Sequence, residues 1–225
     1  MTARPERSAL LAGASGLVGT HCLQRLLASD VYDSVTVLAR RALPLADPRL
    51  TQIVADFDRL EEGAAGVAAE DVYCCLGTTI KKAGSQEAFR RVDFDYPLGL
   101  ARLFKTRGAR RLLMVSALGA DARSSVFYNR VKGEVEQAVR EVGIEKSYFF
   151  RPSLLLGARV EFRFGERVAM AAATLIAPVL IGGLTRYRPI QADVVAAAMI
   201  HAALLDLPAG VIESEEIARL GALAG

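Results

Sequence analysis

Near the start of this chain a short apolar stretch, Ser8–Ala12, runs into Gly13-Ala14-Ser15-Gly16-Leu17-Val18-Gly19, and a helical pattern follows through about Ala28. Glycine at these points lets the backbone turn tightly and approach another group closely. The helix that follows offers free N–H groups and the positive end of its dipole, which together favour an anion such as a pyrophosphate. A glycine trio alone is a weak signal. Its placement at the first strand-to-helix turn is the position a nucleotide-binding sheet requires. Gly13, Ser15, Gly16, Leu17 and Gly19 are therefore expected to line a dinucleotide site.

From there strands and helices alternate. Ser34–Ala39 and Thr51–Val54 read as the second and third strands, Val72–Leu76 as the fourth, Arg111–Ser116 as the fifth and Ser147–Arg151 as the sixth. A helical pattern covers Asp95–Arg107, where Pro97 is tolerable only in the first turn. The clearest helix is Val126–Val142. Its Phe127, Val131, Val135, Ala138, Val139 and Val142 form one apolar stripe at a period of about 3.6 residues, closed by Gly143. Such alternation implies a parallel sheet covered on both faces, the doubly wound Rossmann α/β class. No linker or repeat divides the 225 residues. One domain over 1–225 is expected, in which 151–225, with a helix at Ala192–Leu205 and a short strand at Gly210–Ile212, covers the pocket.

The second strand ends in Ala39-Arg40-Arg41, about 20 residues beyond the glycine loop. An acidic side chain there would bond the ribose hydroxyls of NAD. Guanidinium instead suits a 2′-phosphate, through paired charge-assisted hydrogen bonds. Arg40 and Arg41 thus point to NADP (NADPH), the competing reading being that they only solubilise a loop. Asp56, after the third strand, is placed either to meet the adenine amino group or to serve as a plain loop carboxylate. Leu76, Gly77 and Thr78 close the fourth strand, where glycine lets the backbone pass near a cofactor.

Tyr128 and Lys132 stand four apart on adjoining turns of the clearest helix, at the edge of its buried face. Ser116 closes the preceding strand, on the carboxyl edge where open α/β sheets bind ligands. Hydride transfer to a carbonyl needs a proton donor for the developing alkoxide, and the reverse reaction needs a base. A free tyrosine, with a pKa near ~10, is a poor base at neutral pH, and an ammonium beside it favours the phenolate. The same lysine suits the cofactor's ribose, and a serine hydroxyl suits the substrate oxygen. Ser116, Tyr128 and Lys132 are expected as the catalytic trio. A Tyr-x-x-x-Lys string by itself is common on surface helices; its company carries the reading.

GASGLVG, LARR, CCLGTT, VSALGA, YNRVKGEVE and RPSLLLG together resemble the atypical branch of the short-chain dehydrogenase/reductase superfamily. The nearest likeness is to the Tat-interacting oxidoreductase-like proteins and their bacterial epimerase-like relatives, over roughly Ser8 to Gly157. The resemblance implies an NADPH-binding Rossmann fold with Ser116, Tyr128 and Lys132 at the active site, and Pro152 packed near the nicotinamide. Two departures stand out. The glycine spacing is GxxGxxG rather than TGxxxGxG, and the asparagine of the superfamily's catalytic tetrad has no clear counterpart, Asp93 lying in that neighbourhood.

Composition narrows the partners. The net charge is +3, and basic residues are scattered in pairs such as Arg90–Arg91 and Arg110–Arg111, so a nucleic-acid partner is not expected. Cys22, Cys74 and Cys75 lack CxxC spacing and read as small buried hydrophobes in a reducing compartment. His21 and His201 read as packing or surface residues, and no metal is expected. The N-terminus is charged, without the apolar core of a secretory signal, and a cytoplasmic location is expected. Val168–Leu184 is apolar except for Thr174, but its 17 residues are short for a membrane span and are broken by Pro178 and Gly182–Gly183. It is expected to be a helix covered by the rest of the chain or by a second copy in a homodimer, not an integral membrane span.

The function these features imply is an NADPH-dependent oxidoreductase acting on a small carbonyl or alcohol that the sequence does not identify. The alternative is an NADPH-binding sensor or regulatory scaffold with little turnover, which would have no need of the trio. A sugar-nucleotide epimerase is disfavoured by the short stretch after Pro152, too small for a large substrate lobe.

Overall fold

The computed structural model describes residues 7–157 and 182–223. Its strands are β1 (Ser8–Ala12), β2 (Ser34–Ala39), β3 (Leu50–Val54), β4 (Asp71–Cys74), β5 (Arg111–Val115), β6 (Lys146–Arg151), β7 (Leu155–Leu156), β8 (Ile190–Gln191) and β9 (Gly210–Glu213). Seven of them form one sheet in the order β3-β2-β1-β4-β5-β6-β9, with every pairing parallel. β7 and β8 pair separately. The helices are α1 (Leu17–Ala28), α2 (Leu60–Gly63), α3 (Ile80–Ala83), α4 (Gln86–Arg90), α5 (Tyr96–Thr106), α6 (Phe127–Val142), α7 (Ala192–Leu204) and α8 (Ser214–Gly221).

Both faces of the sheet are buried, which is why its central strands carry runs of consecutive apolar residues, such as Ala9–Ala12 and Leu112–Val115, rather than an alternating pattern. In β1, Ala9 and Leu11 join a core with α1, α7 and α8, while Leu10 and Ala12 join a second core with α5 and α6. Tyr148 and Phe150 face the first core from β6, and Phe149 faces the second. α7 is apolar on all sides because α1 and α8 flank it. His201 on α7 meets the Leu220 carbonyl of α8 at 2.7 Å, a packing role.

At the amino ends of the strands, Asp71 is fully buried and receives Arg7 Nε at 2.8 Å, Arg111 Nη1 at 3.0 Å and the Tyr32 hydroxyl at 2.7 Å. This network ties β1, β4 and β5 together on the edge away from the glycine loop. At the carboxyl ends the chain leaves β1 toward β2 and β3 on one side, then returns to β4 on the other. That reversal opens the crevice in which doubly wound sheets hold ligands.

Most element ends shift by one residue at most, and two differences from the sequence expectation are larger. β4 stops at Cys74 instead of continuing to Leu76, because the Cys75 carbonyl turns in against Gly13. The helix expected from Asp95 is preceded by α4 and a π-helical turn, Arg91–Asp95. Pro97 has no N–H for the Asp93 carbonyl, and its ring crowds that carbonyl; a wider turn absorbs the mismatch. Of the apolar Val168–Leu184 segment, 168–181 lie outside the described residues, and 182–184 begin a 3-10 turn, Gly182–Tyr187. Among the described residues no helix is long and apolar enough to cross a membrane.

Candidate functional site

The glycine loop is shaped by close approach. Gly13 has φ +88°, and a Cβ there would stand 2.4 Å from the Cys75 carbonyl oxygen. A Cβ on Gly19 would stand 2.1 Å from the Gly13 carbonyl oxygen, so α1 rises directly against the loop. The Thr20 hydroxyl bonds the Ala14 and Gly16 carbonyls and fixes the turn. The N-cap of α1 is Gly16, which supplies no side-chain cap, and its first turn holds no acidic residue. Its leading N–H groups therefore have no acceptor from a capping side chain, beside the exposed Ser15 and Gly16. Leu17 packs instead toward Gly157 and Ala192 of the C-terminal part.

Across the crevice the chain brings Gly77, Thr78, Asp93 and Lys132 together. Lys132 Nζ lies 2.8 Å from Asp93 Oδ1, with the side chains 7% and 1% exposed. The Thr78 N–H donates to Asp93 Oδ2 at 2.8 Å. A Cβ on Gly77 would sit 3.4 Å from Asp93 Oδ1 and 3.9 Å from Lys132 Nζ. Burial is the strongest influence on Lys132 and pulls its pKa down, but Asp93 and then Tyr128 outweigh it, and the ammonium ends above its ordinary value. The Tyr128 ring packs on the buried Phe89 with centroids 5.6 Å apart. None of the hydrogen bonds among the described residues involves the Tyr128 hydroxyl.

Ser116 is placed differently. It is buried, and its hydroxyl donates to Glu136, a carboxylate on α6 one turn beyond Lys132. Glu136 also receives Arg151 Nε at 2.9 Å and Nη2 at 2.6 Å. The single hydroxyl proton of Ser116 is thus spent on a carboxylate, and bonding a substrate oxygen would require breaking that bond. Sequence reasoning missed Glu136. Its signal was a carboxylate inside the arc of the α6 apolar stripe, between Val135 and Val139. Ser116→Ala is expected to cost about 1.5–3 kcal/mol of stability, the range for a hydrogen bond to a charged group, and to change turnover far less than Tyr128→Phe. Chemical denaturation and steady-state rates measured together check this.

Arg40 and Arg41 are exposed at the tip of β2, and neither guanidinium has a hydrogen bond or ion pair among the described residues. Asp56 caps the turn at Phe57–Arg59, accepting from the Asp58 N–H at 3.0 Å, so its carboxylate has a local structural task. Pro152 is buried, and its carbonyl accepts from the Leu118 N–H at 3.0 Å, joining the ends of β5 and β6. The Cys75 thiol is pushed well above its usual value, first by a hydrogen bond with Cys22 and then by burial. Cys74 is pushed up to about 12 by burial. Neither thiol is a ready nucleophile.

Comparison with known proteins shows the family and the fold. The family model described as NAD(P)H-binding matches residues 13–148. Protein HTATIP2 of Rattus norvegicus is 41% identical over 168 residues, 73% of this chain and 69% of its own. Protein FMP52, mitochondrial, of Eremothecium gossypii is 31% identical over 217 residues, 95% of this chain and 96% of its own. Among solved structures, MoeE5 in complex with UDP-glucose and NAD matches with a TM-score of 0.68 at 16% identity, over 96% of this chain and 81% of that one. At that identity the likeness is one of fold. Relatives from Emericella nidulans and Candida albicans are also named mitochondrial. These names overturn the cytoplasmic expectation. A charged stretch such as Met1–Arg7 does not by itself separate cytosol from organelle.

Proposed function

The chain belongs to the NAD(P)H-binding family, in the atypical short-chain dehydrogenase/reductase branch, and on that premise we propose that it is an NADPH-dependent oxidoreductase interconverting a small carbonyl and its alcohol. The observation that carries the proposal is the buried, charged Lys132 one turn from a tyrosine whose hydroxyl is unpaired among the described residues.

The crevice fits an anionic dinucleotide. Its glycine loop leaves the first N–H groups of α1 without a side-chain cap, and two guanidiniums unpaired among the described residues stand at the tip of β2. In this reading Gly13, Ser15, Gly16, Leu17 and Gly19 hold the pyrophosphate, and Arg40 and Arg41 hold the 2′-phosphate. The Leu76–Thr78 backbone, Asp56 and Pro152 complete the cofactor's surroundings, and the described residues from 151 onward close the pocket within the same domain. The chemistry a bound nicotinamide supplies is hydride transfer. Tyr128 gives its proton to the oxygen of the reduced carbonyl, or takes one from the alcohol in reverse. Lys132 keeps positive charge beside that oxygen and donates to the ribose.

A sensor with little turnover is the second reading, and the commitment of Ser116 to Glu136 favours it, since one expected substrate donor is occupied. A screen of aldehydes, ketones and quinones, followed through the near-ultraviolet absorbance of the reduced nicotinamide, separates the two. No turnover on any of them, despite tight NADPH binding, would favour the sensor. Cofactor choice is tested by calorimetry. Wild type should bind NADPH about tenfold or more tighter than NADH, and Arg40→Ala/Arg41→Ala should erase the difference. Equal wild-type affinities would remove the 2′-phosphate role.

A further inference from the structure

A lysine buried without a partner gives up its proton, so the charge on Lys132 needs a source. The groups facing it are Asp93 from the turn between α4 and α5, Cys74 from the end of β4, and Tyr128 on its own helix. Cys74 is a neutral thiol, held so by burial. Among these three, Asp93 is the carboxylate.

Asp93 is fixed at both oxygens. Oδ1 meets Lys132 Nζ at 2.8 Å, and Oδ2 accepts the Thr78 N–H at 2.8 Å. Thr78 belongs to the stretch after β4 that walls the dinucleotide crevice, so one carboxylate links that wall to α6. It is also the third of the five residues of the π turn, where the helical run from α4 to α5 leaves ordinary α geometry. Such turns are frequent at functional sites.

We propose that Asp93 is a positioning residue of this site, holding the Lys132 ammonium in place and charged between the crevice wall and Tyr128. The inference rests on the reading that Tyr128 and Lys132 form the proton-transfer pair. Asp93 touches neither substrate nor the reacting oxygen. A lone ammonium would project a stronger field onto Tyr128 but would not stay protonated once buried. The ion pair gives a weaker field that is permanent. A neutral asparagine here could orient the lysine but not keep it charged.

Asp93→Asn tests this, since the amide keeps the size and the acceptor for Thr78 while removing the charge. With lysines labelled at Cε, and the Lys132 signal assigned from Lys132→Arg, NMR reads the titration directly. Wild-type Lys132 should stay charged beyond the range of a free lysine. In Asp93→Asn it should lose its proton at least one pH unit lower, a tenfold drop in proton affinity. Turnover should fall with the alkaline limb of the pH–rate profile displaced to lower pH and with KM for the carbonyl little changed. A merely structural role would lower thermal stability and leave that limb where it was. Wild-type Lys132 titrating below a free lysine would overturn the proposal even if the variant failed to fold. So would an Asp93→Asn titration and profile that do not move. Full activity of Tyr128→Phe would sink the proton-transfer reading without touching the titration, so the two failures are told apart.

Discussion

Tyr128→Phe is expected to lower turnover by about 10²–10⁴-fold, the usual worth of a positioned acid–base group, while leaving the fold and NADPH affinity close to wild type. The ring is anchored by Phe89, and the hydroxyl it loses has no hydrogen-bond partner among the described residues, so its removal breaks no hydrogen bond among them. Equilibrium denaturation should therefore change by less than about 1 kcal/mol, as for a substitution that opens no cavity and strands no polar group. An equal fall in kcat and kcat/KM would mean that the lost interaction exists only in the transition state. If the variant keeps full activity on every substrate that wild type reduces, Tyr128 is not the proton donor. The cofactor-sensing reading then moves ahead.

The doubly wound sheet was legible because two signals agreed. The glycine run fell at the first strand-to-helix turn, and strands alternated with helices along the chain, as a parallel sheet covered on both faces demands. The α6 stripe placed Tyr128 and Lys132 at the edge of a buried face, and the structure puts Lys132 there with little exposure. The π turn was not legible. Pro97 announced a helix start, yet the chain kept its helical course through a local widening that no propensity encodes. The partners of the site residues were hidden for a related reason. Asp93–Lys132 and Ser116–Glu136 join residues far apart in sequence, so their pairing follows from strand order and helix packing. Ser116 shows the consequence. Its place at the carboxyl end of a strand matched a substrate-binding serine, but the direction of its hydroxyl depended on a carboxylate two helical turns beyond Tyr128.

Removing Lys132 should damage the fold as well as the site. Lys132→Met keeps the length of the side chain and leaves Asp93, 1% exposed, without its cation. Breaking one side of a buried ion pair costs about 3–5 kcal/mol, because the surviving charge stays desolvated. For a chain of this size that corresponds to a fall in Tm of roughly 6–20 °C. Adding Asp93→Asn to Lys132→Met removes the stranded charge, so the double variant should be more stable than Lys132→Met alone. The loss should also depend on pH with a definite sign. A lone buried carboxylate escapes its penalty by taking up a proton, which grows costlier by about 1.4 kcal/mol per pH unit above the ordinary carboxylate range. The gap in Tm between wild type and Lys132→Met should thus be smaller near about pH 5 than near about pH 8. Melting curves for the wild type, the two single variants and the double variant at both pH values complete the cycle. A Lys132→Met protein as stable as wild type at the higher pH would mean that Asp93 carries no buried charge, and the ion pair would lose its place at the centre of this site.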